Sequence, residues 1–378
     1  MPWKTMDRQQ QRVEFVVAAS RKEKSFRELC QEFGISRPTG YLWVERYREG
    51  GLGGMGEGSR RPRHSPQRSG GEAERRVVEL RRQYPDWGAR KLQWLLAQRG
   101  VALAVSTVHR ILLRRELVRV EDRHRQAMRR FSRERPNQLW QMDYKSPLGW
   151  GTHIGPLSVL DDHSRYLLVL AATGTTRAQL VREQLEEAFC RCGVPEAMLM
   201  DHGTPWWNTQ SAGGITWLAI WLMKQGIRLY WSGFRHPQTQ GKVERFHGGL
   251  ERAMRLRGLP DAGRQAWLDA FRQEHNQMRP HEALGMKTPA SVWTRSPKPY
   301  DAHPPRWEYP AGAEVKHLGQ KGQVRIAGHI YGLMALAGEW VRLVRIEDRV
   351  LVYYCNTVVR EVELGRHGSA RAEPCLPS

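Results

Sequence analysis

The sequence predicts a multidomain protein: an all-α front of helix-turn-helix modules, a central α/β unit whose mixed sheet is flanked by helices, and a small C-terminal antiparallel β barrel. Three observations predict it. Apolar residues recur at helical spacing through residues 12–118. From Leu139 onward, strand-like apolar runs alternate with helical ones. Beyond a proline-rich stretch at 297–310, four β-branched runs are separated by turns. At 378 residues the chain is long enough to build several separate cores.

The first helical pair lies in residues 1–49. Phe26, Leu29, Cys30 and Phe33 follow a helical spacing that Gly34 interrupts. Ser36 is placed to cap the next helix, with Pro38 in its first turn and Tyr41, Leu42, Val44 and Tyr47 as its apolar positions. Helix, glycine turn, second helix is the helix-turn-helix pattern, whose second helix enters the major groove. Arg37, Thr39, Gly40 and Trp43 are then expected near bases or backbone. A structural hairpin with no ligand is the plainer alternative, and the basic context favours DNA.

Residues 50–71 read as a linker, since glycine and proline resist regular structure. Arg60, Arg61, Arg63 and Arg68 within it can follow phosphates or enter a minor groove; fully extended, the segment reaches roughly 70 Å. Residues 72–118 repeat the helical theme, with helices over about 72–83 and 87–99 and a third capped by Ser106. This predicts a second helix-turn-helix, with a wing as an option, followed by an arginine-rich connector at 119–136.

The body, 137–296, opens with strand-like LWQMDYK and GPLSVLDDHSRYLLVLAAT, followed by a helix over roughly 176–192. Strand EAMLM, a tryptophan-rich helix at about 212–225, strand IRLYW and a long helix from near Gln240 complete it. Residues 297–312 read as a proline-rich linker, 313–364 as the small barrel and 365–378 as a disordered tail.

Charge indicates the partner. The net charge is +21, and the first 136 residues hold 31 Lys or Arg against 16 Asp or Glu, so +15 of it sits at the front. Cations that neutralise phosphates release condensed counterions, which makes nucleic acid the first candidate. A membrane surface would also attract this charge, but no amphipathic anchor, membrane-spanning run or signal peptide is read. Cys30, Cys190, Cys192, Cys355 and Cys375 lack paired zinc spacing, so reduced thiols in the cytoplasm are expected.

Three carboxylates occupy informative places. Asp143 lies in a strand within WQMDY, Asp201 closes a strand just before His202 and Gly203, and Glu244 sits on a helix within HPQTQGKVERFH. Carboxylates at the ends of apolar strands lie where α/β folds assemble sites. Phosphodiester cleavage needs an activated nucleophile and a stabilised leaving oxygen, which two divalent cations about 4 Å apart supply. Mg²⁺ favours oxygen ligands, with Mn²⁺ as an alternative, and no His or Cys cluster competes for a softer ion. Asp143 on its rigid strand is the natural bridging ligand, with Asp201 and Glu244 each completing one site.

With these motifs the chain resembles insertion-sequence transposases of the DDE group, related to retroviral-type integrases and sharing an RNase H-like core. The resemblance covers nearly the whole chain: GISRPTGYLWVERYREGGLGG, the strand of Asp143, DHG at 201–203, and HPQTQGKVERF. The last is the most specific, through His236, Pro237, Gln238, Gly241, Lys242, Glu244 and Arg245. The resemblance implies Asp143, Asp201 and Glu244 as ligands of two Mg²⁺ ions. It implies Lys242 at the DNA end near the cut, Arg245 as a further DNA contact, and His236 and Gln238 supporting the active-site loop and contacting DNA. It also implies binding of terminal inverted repeats, 3′-end cleavage, strand transfer into target DNA, a dimer or larger assembly, and a place on the bacterial nucleoid. Two departures stand out. His202 follows the second aspartate where the family commonly has Asn, and 42 residues separate Asp201 from Glu244, more than in the shortest members. A non-catalytic DNA-binding regulator and a nuclease that cuts without joining remain the alternatives.

Other residues have plainer readings. Asp161, Asp162 and His163 read as a hairpin turn. Trp206 and Trp207 either stack on a splayed base or pack in the core. His247, one turn past Glu244, either orients that carboxylate or lies on the surface.

Overall fold

Ser25 and Ser36 begin two of the helices of the N-terminal module. A computed structural model describes residues 8–56, 70–118, 132–147, 149–151, 153–208, 214–231 and 241–364. It divides into two units, Met1–Arg68 and Ser69–Ser378. The first contains α1 (Arg8–Arg21), α2 (Phe26–Glu32) and α3 (Arg37–Gly50). Ser25 and Glu28 exchange side-chain and backbone hydrogen bonds in a capping box at the start of α2. Ser36 caps α3 by accepting from the Thr39 N–H, with Pro38 in the first turn.

The helices close on Phe15, Val16, Leu29 and Cys30. Gly40 allows the crossing: a Cβ there would stand 2.8 Å from the Cys30 Sγ and 2.9 Å from the Phe15 Cζ. Gly40 therefore faces the core rather than DNA, correcting the sequence expectation. Tyr41, Leu42 and Tyr47 are correspondingly exposed, because Gly40, Trp43 and Val44, at i, i+3 and i+4, form the inner stripe of α3. The expected linker also starts late. Residues Gly51–Met55 form a 3₁₀ turn that buries Met55, and Arg12 donates to the Met55 carbonyl at 3.0 Å. Arg60, Arg61, Arg63 and Arg68 lie outside the described residues.

The second unit begins with α4 (Gly71–Gln83), α5 (Ala89–Gln98) and α6 (Val105–Arg114). They enclose Val77, Leu80, Trp87, Leu92, Leu96, Val108, Ile111 and Leu112. Ser106 does not cap α6, since the helix starts one residue earlier with Ala104 at the cap position. Among the described residues of 70–118 there is no strand, hence no wing.

The central sheet contains β1 (Trp140–Tyr144), β2 (Leu157–Asp161), β3 (Leu167–Ala171), β4 (Ala197–Met200) and β5 (Arg228–Trp231), in the order β3-β2-β1-β4-β5. β1, β2 and β3 are antiparallel neighbours, while β4 runs parallel to β1 and β5. Interleaved are α7 (Ala178–Cys192) and α8 (Trp217–Lys224), followed by α9 (Gly241–Arg257), α10 (Arg264–Gln277) and the short α11 (Pro289–Val292). α7 and α8 bury Val181, Leu185, Phe189, Leu218 and Leu222 with Trp140, Met142 and Leu168 of the sheet. α9 and α10 bury Phe246, Leu250, Leu268 and Phe271 with Leu160, Leu167 and Leu170. Helices on both faces explain why β2 and β3 are buried at every position rather than alternately.

The C-terminal segment forms β6 (Glu314–His317), β7 (Gln323–Ile326), β8 (His329–Gly332), β9 (Trp340–Ile346), β10 (Arg349–Tyr354) and β11 (Thr357–Glu363). The expected barrel is not closed. A four-stranded sheet, β11-β10-β9-β6, and a separate β7-β8 hairpin remain open. Val324 and Ile326 of the hairpin share one core with Val341, Leu343, Val350 and Val352, so two facing layers bury the apolar side chains and closure is not required. Residues of the expected proline-rich linker lie on the central core instead of spanning free. The Lys298 carbonyl accepts from Val194 at 2.8 Å, and the Tyr300 hydroxyl donates to Glu186 at 2.7 Å. Among the described residues, no helix is long and apolar enough to cross a membrane.

Candidate active site

Sheet order brings the first two carboxylates together. In the parallel β1–β4 pair, Gln141 stands opposite Leu199. The same register, carried two residues on, brings Asp143 and Asp201 to the C-terminal ends of neighbouring strands, whose axes lie about 4.8 Å apart. Ligands of α/β sheets collect at such strand ends. Glu244 comes from the first turn of α9, which packs on this face of the sheet and contributes Phe246 and Leu250 to the core.

The three share an electrostatic field. Burial and the Asp201 charge push the Asp143 carboxyl up to about 7; a hydrogen bond from the Tyr144 backbone opposes this, and the Glu244 charge adds to it. Mutual repulsion of carboxylates is what a divalent cation relieves, and three oxygen donors without His or Cys suit a hard ion. Among the described residues no three such side chains are gathered tightly enough to hold an ion as they stand. The arrangement is an open carboxylate field rather than a closed cage.

Each aspartate has its own supports. The Asp201 Oδ1 accepts from the Trp206 indole N–H at 2.6 Å and from the Gly203 N–H at 2.9 Å. A Cβ on Gly203 would stand 2.9 Å from that same oxygen, so glycine permits the close backbone approach. Trp206 is buried and stacks on Tyr144, with centroids 5.6 Å apart. Trp206 is thus a core residue that donates to the site, with its ring withdrawn from any splayed base. His247 places its Nδ1 3.8 Å from the Asp143 Oδ2 and its Nε2 3.1 Å from the Ser158 Oγ. Burial, with the Lys145 charge, pushes His247 down to about 4, so it is neutral at pH 7. It faces Asp143 and is largely buried, neither lying on the surface nor turning toward Glu244. Lys145, fully buried, pairs with Glu251 at 3.4 Å.

Lys242 departs from expectation. Its Nζ lies 2.5 Å from the Asp162 Oδ2 and 3.0 Å from the Asp162 carbonyl oxygen, and its side chain is only 15% exposed. Burial lowers its pKa to about 8 against the opposing pull of Asp162. The expected DNA contact is engaged inside the protein. Residues 162–164 do form the expected turn, yet Asp161 and Asp162 are both fully buried. Asp161 accepts from the Ser164 hydroxyl and backbone and from the Asn137 N–H.

Among the other expected DNA contacts, Arg37 and Arg245 are exposed. Thr39 is half-buried, its hydroxyl 2.8 Å from that of Ser36. Trp43 is half-buried with the guanidinium groups of Arg12 and Arg46 over its ring at 4.1 and 5.0 Å, so it packs within the module instead of standing clear for bases. His236 and Gln238 lie outside the described residues. Sequence reasoning missed Gln141, Lys145 and Ser158. For Gln141 a signal existed: two residues from Asp143 on one strand, it shares that residue's face.

Comparison with known proteins matches these regions. Two integrase core domain models match residues 133–237 and 225–289. A helix-turn-helix domain matches 11–63 and a homeodomain-like domain 39–112. The chain is 25% identical over 224 residues to an uncharacterised protein of insertion element IS407 from Burkholderia multivorans, covering 57% of this chain and 78% of that protein. It is 26% identical over 227 residues to an uncharacterised protein of insertion element IS476 from Xanthomonas euvesicatoria, covering 57% of this chain and 62% of that one. Among solved structures, the HTLV-2 integrase catalytic core domain in complex with magnesium aligns at 15% identity and TM-score 0.33, over 42% of this chain and 97% of that one. A chain of the simian T-cell lymphotropic virus intasome in complex with PP2A regulatory subunit B56 gamma aligns at 16% identity and TM-score 0.38, over 72% of this chain and 93% of that one.

Proposed function

The chain carries the helix-turn-helix and integrase core domains of DDE-type insertion-sequence transposases, and on that premise we propose that it cleaves the 3′ ends of its element and joins them to target DNA. The observation that carries this reading is the gathering of Asp143 and Asp201 at the ends of neighbouring parallel strands with Glu244 on the first turn of α9, where burial first, and then the two neighbouring charges, raise the Asp143 carboxyl. Asp143, Asp201 and Glu244 would hold the Mg²⁺ ions. When bound, the ions supply stabilisation of charge on the leaving oxygen and a more acidic nucleophile.

The chain's own residues do the rest. Trp206 and Gly203 fix the orientation of Asp201. Neutral His247 and Ser158 flank Asp143 without neutralising it. Arg245, exposed beside Glu244, is placed to meet a phosphate. Cleavage by water and attack by the freed 3′ hydroxyl are both in-line displacements at phosphorus, so one carboxylate set serves both. The modules at 8–50 and 71–114 bind the terminal repeats, with Arg37 and the Arg60, Arg61 and Arg63 segment as phosphate contacts. Two ends must be handled together, so the working form is a dimer or larger assembly on DNA.

The test uses labelled duplexes carrying the element's own ends with Mg²⁺, comparing wild type with Asp143→Asn. Wild type is expected to cut and join. The near-isosteric variant, lacking the charge, is expected to lose at least about a thousandfold in rate, since the ions supply several kcal/mol. Cutting without joining would move the assignment to a nuclease. End-specific binding with no cutting by wild type would move it to a regulator.

A further inference from the structure

Lys242 and Val243 sit beside Glu244 in the first turn of α9, where backbone N–H groups have no acceptor within the helix. The Val243 N–H is met from outside: it donates to the Gln141 Oε1 at 3.3 Å. Gln141 is fully buried and stands two residues from Asp143, on the same face of β1. Its amide nitrogen donates to the Asp162 Oδ1 at 2.8 Å. The other oxygen, Oδ2, accepts from the Arg133 N–H at 2.7 Å and pairs with Lys242 at 2.5 Å. The contacts close a ring from Gln141 to Asp162, to Lys242, to Val243 and back to Gln141. That ring joins the strand of Asp143, the β2–β3 turn and the helix end of Glu244.

We infer that Lys242, Asp162 and Gln141 are positioning residues, a buried polar ring that fixes the distance between Glu244 and Asp143. The inference rests on the proposed reading of those carboxylates. Three physical points support it. A buried charge is tolerated only when paired and hydrogen-bonded, and Asp162, with no exposed surface, has donors on both oxygens. A lysine serving as a DNA contact would hold its ammonium in solvent, whereas this one lies against a buried carboxylate. A glutamate on a helix end is only as well placed as that end, and no sheet hydrogen bond fixes a helix to its neighbouring strand. The ring supplies that tie next to the carboxylates. It is not catalytic: none of its members is a metal ligand in the proposed mechanism.

The experiment compares full-length Lys242→Met, Asp162→Asn, the double variant and Lys242→Arg with wild type. Three quantities are read: the Mn²⁺ dissociation constant by electron paramagnetic resonance without DNA, the slope of DNA affinity against salt, and the Mg²⁺ concentration for half-maximal cleavage. Lys242→Met and Asp162→Asn are expected to weaken Mn²⁺ binding about tenfold each, as for other residues that orient ligands. The double variant should weaken it no further, because one ring is broken once. Lys242→Arg should recover part of the loss, and the salt slope should stay at the wild-type value in all four. A salt slope lower by about one in Lys242→Met, with Mn²⁺ binding unchanged, would overturn the inference and return Lys242 to the DNA surface. Losing single variants to misfolding leaves the double variant, in which no buried charge is stranded, as the measurement: unchanged Mn²⁺ binding in it also overturns the ring. Failure of wild type to cleave would count against the proposed function alone, since Mn²⁺ affinity and salt slope are read without cleavage.

Discussion

The Trp206 indole shows how a residue chosen for packing can also serve a site. Its ring fills a buried position against Tyr144, while its N–H reaches the Asp201 Oδ1 at 2.6 Å. A phenylalanine would keep most of the packing and remove the hydrogen bond. Trp206→Phe is therefore expected to leave DNA binding unchanged and to slow cleavage about tenfold at limiting Mg²⁺, with recovery as Mg²⁺ is raised. Rates equal to wild type across an Mg²⁺ titration would mean that Asp201 is oriented by Gly203 alone. The tryptophan was visible in the sequence, but its donor role was not, because pattern and composition carry no information about where an indole N–H points.

Among the elements, α3 and β3 illustrate two different constraints. α3 crosses its neighbours at Gly40 so closely that any side chain would meet Cys30 and Phe15. Gly40→Ala is expected to destabilise the first module by about 1–3 kcal/mol through overpacking. Thermal melting followed by near-UV circular dichroism should show an earlier transition, with end-specific binding lost first; an unchanged melt would show that the crossing relaxes freely. β3 is the edge of the central sheet, and an open edge invites pairing with another chain. Here side chains occupy it. Arg191 and Arg272 donate to the Leu168 carbonyl at 2.9 and 3.2 Å. Gln265 donates to the Leu170 carbonyl at 3.1 Å and accepts from the Ala172 N–H at 2.9 Å. At the opposite edge, β5 is met by the C-terminal sheet, whose Thr357 hydroxyl accepts from the Leu229 N–H at 3.0 Å.

Across the second unit, charge buried between elements joins the α4–α6 module to the core. Asp86, without exposed surface, pairs with Arg257 and Arg279, both at 2.5 Å, and the Trp87 indole donates to Glu274 at 3.2 Å. Burial alone would raise Asp86, but the two guanidinium charges outweigh it and hold its carboxyl below the usual range. That contribution is present above the unfolded carboxylate value near 3.9 and is lost only as pH falls through the lower folded value. His275 behaves oppositely. Burial pushes it down to about 3, although its ring nitrogen lies 3.0 Å from the Arg165 carbonyl. Below pH about 6.5 the unfolded chain takes up a proton that folded His275 refuses. Stability is then expected to fall by on the order of 1 kcal/mol per pH unit from about 6.5 toward 3, with Asp86 silent over most of that window. Melting temperatures between pH 7.5 and 5 should decline in wild type and less steeply in His275→Gln, the remaining slope coming from His247 and His281, which burial also pushes down; parallel slopes would remove His275 as a cause.

The sequence alone determined the helical front, the mixed sheet with its helices and the three carboxylates proposed for the site. Local signals suffice there: capping serines, helical and alternating periods, and three carboxylates in strand-end and helix motifs. Tertiary structure decided the rest. It turned Gly40 inward and Tyr41 and Leu42 outward, left the C-terminal strands as open sheets, drew Lys242 onto buried Asp162 and gave Trp206 a carboxylate to hold. Each of these depends on what comes within about 3 Å from another part of the chain. A local pattern fixes which face a residue lies on, and only the packed fold fixes what that face meets.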